Sequence, residues 1–176
     1  VLKSKNLVVY NWVLPHADGS FTYFGALHFQ QGKESTMVIK LKDKSATTTK
    51  AEYKTLGPSN WYGALYYKLI VHKKLGKNTY TMLGWDGNNM LTNKKIIEVM
   101  TISNKGLVKF GAPILKTKKR TKKRVIFEYS ENAVMSLKYH GKSGQIIFDY
   151  LVPTSSKLKG IPESVSYTHL TLPTKV

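Results

Sequence analysis

The chain has 176 residues, 41% hydrophobic and 11% aromatic, a composition that excludes intrinsic disorder and suffices for one domain with a core. It contains no Cys, which excludes disulfides, thiolate metal sites and a Cys nucleophile. No apolar run approaches the roughly 18 residues of a membrane-spanning segment, and a formal net charge of +18 favours association with polyanions.

Strand patterns dominate the first third of the chain. Residues 7–13 form a β-branched and aromatic run, and Asp18-Gly19 after it predicts a tight turn. Residues 21–30 follow as a strand that places Phe21, Tyr23, Leu27 and Phe29 on one face. In residues 36–42 apolar side chains alternate with lysines, which predicts an edge strand with the lysines toward water. Residues 43–50 are polar and aperiodic, and we expect a loop there.

The remainder of the chain also predicts strands. Residues 61–72 form the longest candidate, with both faces covered, and 84–89 read as a polar connection after a strand at 79–83. Further strands are expected at 95–103, 107–110, 125–129, 133–139 and 145–151. Short turns and strand starts about ten residues apart are typical of a meander. We therefore predict one all-β domain over residues 1–163, an antiparallel meander of propeller-like or sandwich/barrel type.

Three blocks of this sequence resemble an uncharacterised family of exported, β-rich Bacteroidota proteins. They are WYGALYY at 61–67, YTMLGWDGN at 80–88, and the segments IFEY, MSLKY and IIFDYLVP between 126 and 153. The resemblance covers roughly residues 60–153. It implies a longer, non-enzymatic parent protein in the periplasm or secreted, and it supplies no ligand or catalytic residues.

The last stretch of the chain has a different origin in our interpretation. Residues 165–174 (VSYTHLTLPT) resemble a translated sequencing adapter. We therefore expect 164–176 to be a non-native tail, which removes His169 from consideration. Residues 1–163 are then expected to be an incomplete fragment of a larger domain.

The strongest local charge feature is a basic run with seven cations in nine positions. It predicts a polyanion-binding site for nucleic acid, acidic glycan or lipid, formed by Lys116, Lys118, Lys119, Arg120, Lys122, Lys123 and Arg124. The alternative is a solvated hairpin loop without a ligand, because Lys lacks the rigid fork with which Arg binds phosphate. Codon bias in an A/T-rich genome also enriches Lys, although it does not explain why only ten acidic residues are present.

Two further patterns favour structure over ligand binding. Strand aromatics can stack on the bases of a single strand, the candidates being Tyr62, Tyr66, Tyr139 and Tyr150. Ordinary cross-strand packing is the favoured interpretation of these residues. The loop at 85–89 offers oxygen ligands for Ca²⁺, but it lacks the repeated acidic positions of a calcium loop, so we predict a tight turn and no metal or cofactor.

Catalysis is the third hypothesis. A hydrolase requires two converging carboxylates, such as Glu98 and Glu128, about 5–10 Å apart. The other candidates are Asp86, Asp149, His16, His28, His72 and His140. No nucleophile, zinc or nucleotide-binding motif is present. We therefore expect a non-enzymatic β-domain with an interaction or structural role at the cell envelope, and an interaction role predicts a contiguous exposed apolar patch.

Overall fold

The computed structural model describes residues 1–32, 35–71, 76, 78–116, 121–151 and 165–172. The described part of the chain is all-β with antiparallel strand pairing, which confirms the predicted fold class. Its helices are single 3-10 turns at Ser45–Thr47, Ala51–Tyr53 and Pro58–Asn60. The sheets stack face to face, and the described strands do not close into a barrel.

The first sheet is a meander of four strands in the order β1-β2-β3-β4. Its strands are β1 (Leu2–Lys3), β2 (Leu7–Pro15), β3 (Phe21–Gln31) and β4 (Ser35–Lys42). Because side chains alternate along a strand, one face carries the buried residues Leu7, Val9, Tyr23, Leu27 and Phe29. The predicted inward set of β3 is confirmed except for Phe21, which is half-buried, and β4 is an edge strand as expected.

The second sheet lies at the centre of the molecule. Its strands are β5 (Leu65–Val71), β6 (Thr79–Asp86), β7 (Thr92–Ile102), β8 (Val108–Phe110) and β11 (Arg124–Ser130). Their order is β11-β7-β6-β5, and β8 pairs with the far end of β7. Strands β6 and β7 are buried over most of their length, since both faces of this sheet are covered.

The remaining strands form a third sheet and a short hairpin. The third sheet has the order β12-β13-β14, with β12 (Leu137–His140), β13 (Gln145–Leu151) and β14 (Val165–Leu172). The adapter-like segment thus contains β14, and its adapter origin stays a prediction. The hairpin pairs β9 (Leu115–Lys116) with β10 (Thr121–Lys122).

Two hydrophobic cores lie on opposite faces of the central sheet. The larger core joins it to the first sheet through residues such as Leu27, Tyr66 and Met100. The smaller core joins it to β12 and β13 through Ile97, Leu137 and Phe148. The outer face of the first sheet therefore remains toward solvent.

Four strand predictions are corrected. The strand expected at 95–103 begins already at Thr92, because Thr92 pairs with Ser130 of β11. The strand expected at 133–139 begins only at Leu137, because the Ser136 N–H donates to the Asp149 carboxylate at 2.8 Å.

The strand expected at 61–72 begins only at Leu65, because Gly63 N–H donates to the Asp43 carboxylate at 3.1 Å instead of joining a strand ladder; its expected end, His72, lies outside the described residues. The polar connection expected at 84–89 begins later, since β6 continues to Asp86 opposite Lys94.

Candidate functional site

Arg124, predicted in the basic run, belongs to the protein interior. Its side chain is 0% exposed, so the prediction that it contacts a polyanion is wrong. The guanidinium donates to the Glu98 carboxylate at 2.5 Å and to the Ala51 carbonyl, and it lies over the Tyr62 ring at 5.4 Å from its centroid. Arg124 therefore joins β11 to β7 and to the 3-10 turn at Ala51–Tyr53.

The other members of the basic run differ in their surroundings. Lys122 donates to both oxygens of Glu52, at 2.7 and 2.8 Å, and its side chain is only 23% exposed. Lys123 is half-buried, and Lys116 ends β9. Lys118, Lys119 and Arg120 lie outside the described residues. Polyanion binding by Lys116, Lys118, Lys119, Arg120 and Lys123 stays a prediction.

The predicted carboxylate pair of Glu98 and Glu128 does not form. On β7, Glu98 lies four residues beyond Lys94, and Lys94 is the cross-strand partner of Glu128. The two glutamates are therefore separated by four residues along the strand direction, about 13 Å. Glu98 is 0% exposed and receives the Arg124 guanidinium. Burial raises the pKa of Glu98 to about 7, against the opposing pull of the Arg124 charge. This carboxylate cannot reach a substrate.

A polar cleft of about 580 Å³ opens at one end of the larger core. Cross-strand pairing places three charged residues of its wall in a row, Asp86 on β6, Lys94 on β7 and Glu128 on β11. Lys94 donates to the side-chain carbonyl of Asn88 at 2.5 Å, and the Asn88 amide donates to Glu128 at 3.3 Å. The Thr92 hydroxyl also donates to Glu128, at 2.7 Å.

Asp86 is held by groups of the fold. It accepts hydrogen bonds from the Tyr23 hydroxyl at 2.9 Å, the Tyr62 hydroxyl at 3.4 Å and the Asn88 backbone N–H at 2.8 Å. Burial, with the Asp86 charge as a second cause, raises the pKa of both tyrosines far above its ordinary value, so they remain donors. The 85–89 segment therefore uses its carboxylate to close a turn, and Asn88 adopts a left-handed conformation at φ 50°.

The remaining catalytic candidates do not converge. His16 bonds Thr22 beside the β2–β3 turn, and His140 bonds Ser143 in the β12–β13 turn. Asp149 is buried and accepts the Ser136 backbone N–H at 2.8 Å. Within the described part of the chain, no three His, Asp or Glu residues are grouped as a metal site requires.

The tyrosines considered for base stacking are mostly interior residues. Tyr62 and Tyr66 are 3% exposed and belong to the larger core, as the packing interpretation predicts. Tyr139 is half-buried against the smaller core, and β13 includes Tyr150. The described positions of this set thus do not form a platform toward solvent.

A different set of aromatics lies in the open, on the outer face of the first sheet. Tyr10, Trp12 and Leu14 alternate along β2 and are 41%, 54% and 50% exposed, and Phe24 on β3 is 37% exposed. Trp12 is directly opposite Phe24, and their rings are stacked with centroids 5.5 Å apart and an interplanar angle of 9°. We call this surface, with Val38 of β4, the aromatic face. Its apolar residues are exposed on one side of the first sheet, and the interaction role for which such a surface was expected stays a prediction.

Lysines flank the aromatic face. Lys42 is the cross-strand partner of Phe24, Lys40 is the partner of Ala26, and Lys3 pairs with Val8 at the other end. Directly paired residues point to the same side of a sheet, so these exposed lysines share the face with the aromatics. Strands β1 to β4 contain neither Asp nor Glu.

Sequence reasoning missed this face although a signal was present. In β2 the buried residues Leu7 and Val9 alternate with Tyr10, Trp12 and Leu14, so the period of two places large apolar groups on both sides. A β-rich chain normally covers both sides of such a strand. Which side stays open depends on where the other sheets pack.

The acidic residues are distributed very differently from the lysines. Of the ten, Glu34 and Glu163 lie outside the described residues. Five are buried or half-buried and bonded to groups of the fold, namely Asp43, Glu52, Asp86, Glu98 and Asp149. The exposed ones are Asp18, Glu128 and Glu131. Because Asp43, Asp86 and Asp149 bond to neutral groups of the fold and are in none of the described ion pairs, exposed lysines outnumber exposed carboxylates by more than the composition alone implies.

Comparison with protein-family models, with curated proteins and with solved structures yields no match to this chain. The family resemblance and the exported location that it implies therefore stay predictions. In the described segments, no helix has the length and apolar character to cross a membrane.

Proposed function

We propose that the protein is a non-enzymatic interaction domain that binds a polyanion. The observation that carries the proposal is the separation of charges: carboxylates mainly bond interior groups, whereas exposed lysines lack carboxylate partners among the described ion pairs. Such a surface attracts anionic polymers by long-range electrostatics and by release of their counterions.

The location of the binding surface follows from the first sheet. Lys3, Lys40 and Lys42 lie on one open face that has no acidic residue in its strands. A polymer that crosses the sheet meets lysines on both sides of the aromatic residues. The basic run without Arg124 and the paired Lys122 is a second contact region in this proposal.

A charge-matched comparison tests the proposal. We expect the protein to be retained on immobilised heparin and released by salt. The double variant Lys40→Ser/Lys42→Ser should elute at clearly lower salt, because it loses two contacts with the anionic polymer. The control Lys138→Ser/Lys142→Ser removes the same charge from exposed positions of the third-sheet region, across the central sheet, and should elute close to the wild type.

The outcomes separate clearly. Failure of the wild type to bind heparin at 50 mM salt contradicts polyanion binding. Equal shifts for the two double variants show that only net charge matters and remove the first sheet as the site. The variant Lys118→Ser/Lys119→Ser/Arg120→Ser tests the basic run separately, and unchanged elution removes the run from the binding surface.

A further inference from the structure

We infer that the aromatic face recognises single-stranded nucleic acid, with a base stacked on the Trp12–Phe24 pair and phosphates beside Lys40 and Lys42. This inference rests on the proposed polyanion binding and narrows its ligand to one class. The two observations that carry it are the ring geometry and the position of the lysines relative to the rings.

The ring geometry favours a planar aromatic ligand. Trp12 and Phe24 are nearly parallel, at 9°, with their centroids only 5.5 Å apart. Two rings lying side by side in one plane would be farther apart, so these rings stand offset-stacked on the sheet. A stack of this kind is extended by another flat π-system, and every nucleobase has such a face.

Both rings are accessible for that purpose. Trp12 is 54% exposed, whereas Trp61 is 0% exposed and Trp85 is half-buried. On the other side of β2, β1 pairs only with Val8 and Val9, so the described sheet has no strand beside Trp12 on that side. A base can therefore approach Trp12 from the edge of the sheet that β1 leaves uncovered.

The lysines lie at a distance suited to the ligand backbone. Trp12, Phe24 and Lys42 are in register across three strands, so their Cα atoms span about 10 Å. Tyr10, Ala26 and Lys40 form the neighbouring row. A nucleotide chain crossing the sheet can hold its base on the aromatic rows and its phosphates on the flexible lysine side chains. An acidic glycan would satisfy the lysines but has no base for the stack.

The experiment compares ligands that differ only in their bases. The affinity for a 15-nucleotide oligo(dT) is compared with the affinity for an abasic strand of the same length and charge. Heparin is the third ligand. Stacking contributes about 1–3 kcal/mol per base, so oligo(dT) should bind at least about fivefold more tightly than the abasic strand. Oligo(dT) should also quench Trp fluorescence, and heparin should leave it nearly unchanged.

Variants then assign the effect to the face. Trp12→Ala should lower oligo(dT) affinity about fivefold or more and leave abasic and heparin binding unchanged. Trp12→Phe, which keeps a stacking ring, should retain most of the preference. The circular dichroism spectrum and Tm of each variant check that it is folded.

The results distinguish this inference from the function on which it rests. Equal affinity for oligo(dT) and the abasic strand, or an unchanged preference in Trp12→Ala, overturns base stacking while heparin retention still supports polyanion binding. If the wild type binds none of the three ligands, both base stacking and polyanion binding are overturned. Tighter binding of heparin than of oligo(dT), without quenching, assigns the face to an acidic glycan instead.

Discussion

At the scale of single residues, the most consequential feature is a charged pair inside the larger core. The sequence places Glu98 in a predicted strand and Arg124 at the end of the basic run, just before the strand predicted at 125–129. It offers no means of deciding that either side chain is buried. The structure places them opposite each other on β7 and β11, both 0% exposed. Burying two charges is favourable only when each satisfies the other and nearby polar groups. Their proposed catalytic and ligand roles fail for this reason.

Glu98 gives a prediction about pH. Its folded-state pKa of about 7 exceeds the ordinary 4.5 because of burial, so the folded state holds this proton more tightly than the unfolded state. The stability that this group contributes is therefore full below pH 4.5 and is lost as the pH rises to about 7. The unfolding free energies of the wild type and of Glu98→Gln are measured by urea unfolding between pH 4.5 and 7. The wild-type value minus the variant value should fall by up to about 3 kcal/mol as the pH rises across this range.

An increase of this free-energy difference with pH would contradict the prediction. If the difference in unfolding free energy grows with pH, the ionised Glu98–Arg124 pair stabilises the fold more than its burial costs. The raised pKa would then be wrong, although the buried location would stand.

At the scale of secondary-structure elements, strand positions could largely be predicted from period-two alternation and turn residues. The strands β2, β3, β4 and β13 lie within one or two residues of their predicted bounds. The prediction that both faces of 61–72 are covered is wrong, because β5 is an edge strand of the central sheet and a β-bulge between Tyr66 and Lys68 changes its register. Tyr67 and Val71, expected on a covered face, are 41% and 55% exposed. Bulges depend on the partner strand, which a single strand's pattern does not reveal.

The Asn11 side chain adds a polar bridge to the hydrophobic contact between the first and second sheets. The Asn11 amide donates to the Tyr66 carbonyl at 3.2 Å and accepts the Tyr66 N–H at 2.7 Å, so it substitutes for a backbone partner of β5. Asn11→Ala leaves both backbone groups without this partner and should lower the unfolding free energy by about 1–3 kcal/mol.

Chemical denaturation checks this prediction against a matched substitution. Asn132 is exposed in the turn after β11, and Asn132→Ala should change the unfolding free energy by less than about 0.5 kcal/mol. Similar small effects of both substitutions would show that the Asn11 bridge contributes little to the joining of the two sheets.

At the scale of the whole molecule, the fold separates most of its described carboxylates from its exposed lysines, which the composition alone does not reveal. The net charge and the scarcity of acidic residues were evident in the sequence. The sequence did not reveal which carboxylates bond to interior groups, because this depends on the packing of loops such as 43–53 against β11. The aromatic face likewise results from the stacking order, in which the first sheet is covered on one side only.

In the proposed function the lysines of the first sheet contact the anionic groups of a polymer, which for a single-stranded nucleic acid are phosphates. The most direct test is the dependence of oligo(dT) affinity on salt, since each neutralised phosphate of a single strand contributes about −0.7 to the slope of log K against log salt concentration. Removal of two contacts in Lys40→Ser/Lys42→Ser should make the slope less steep by about 1.4, whereas Lys138→Ser/Lys142→Ser should keep the wild-type slope. Parallel slopes for all three proteins would contradict the claim, because Lys40 and Lys42 would then make no phosphate contact.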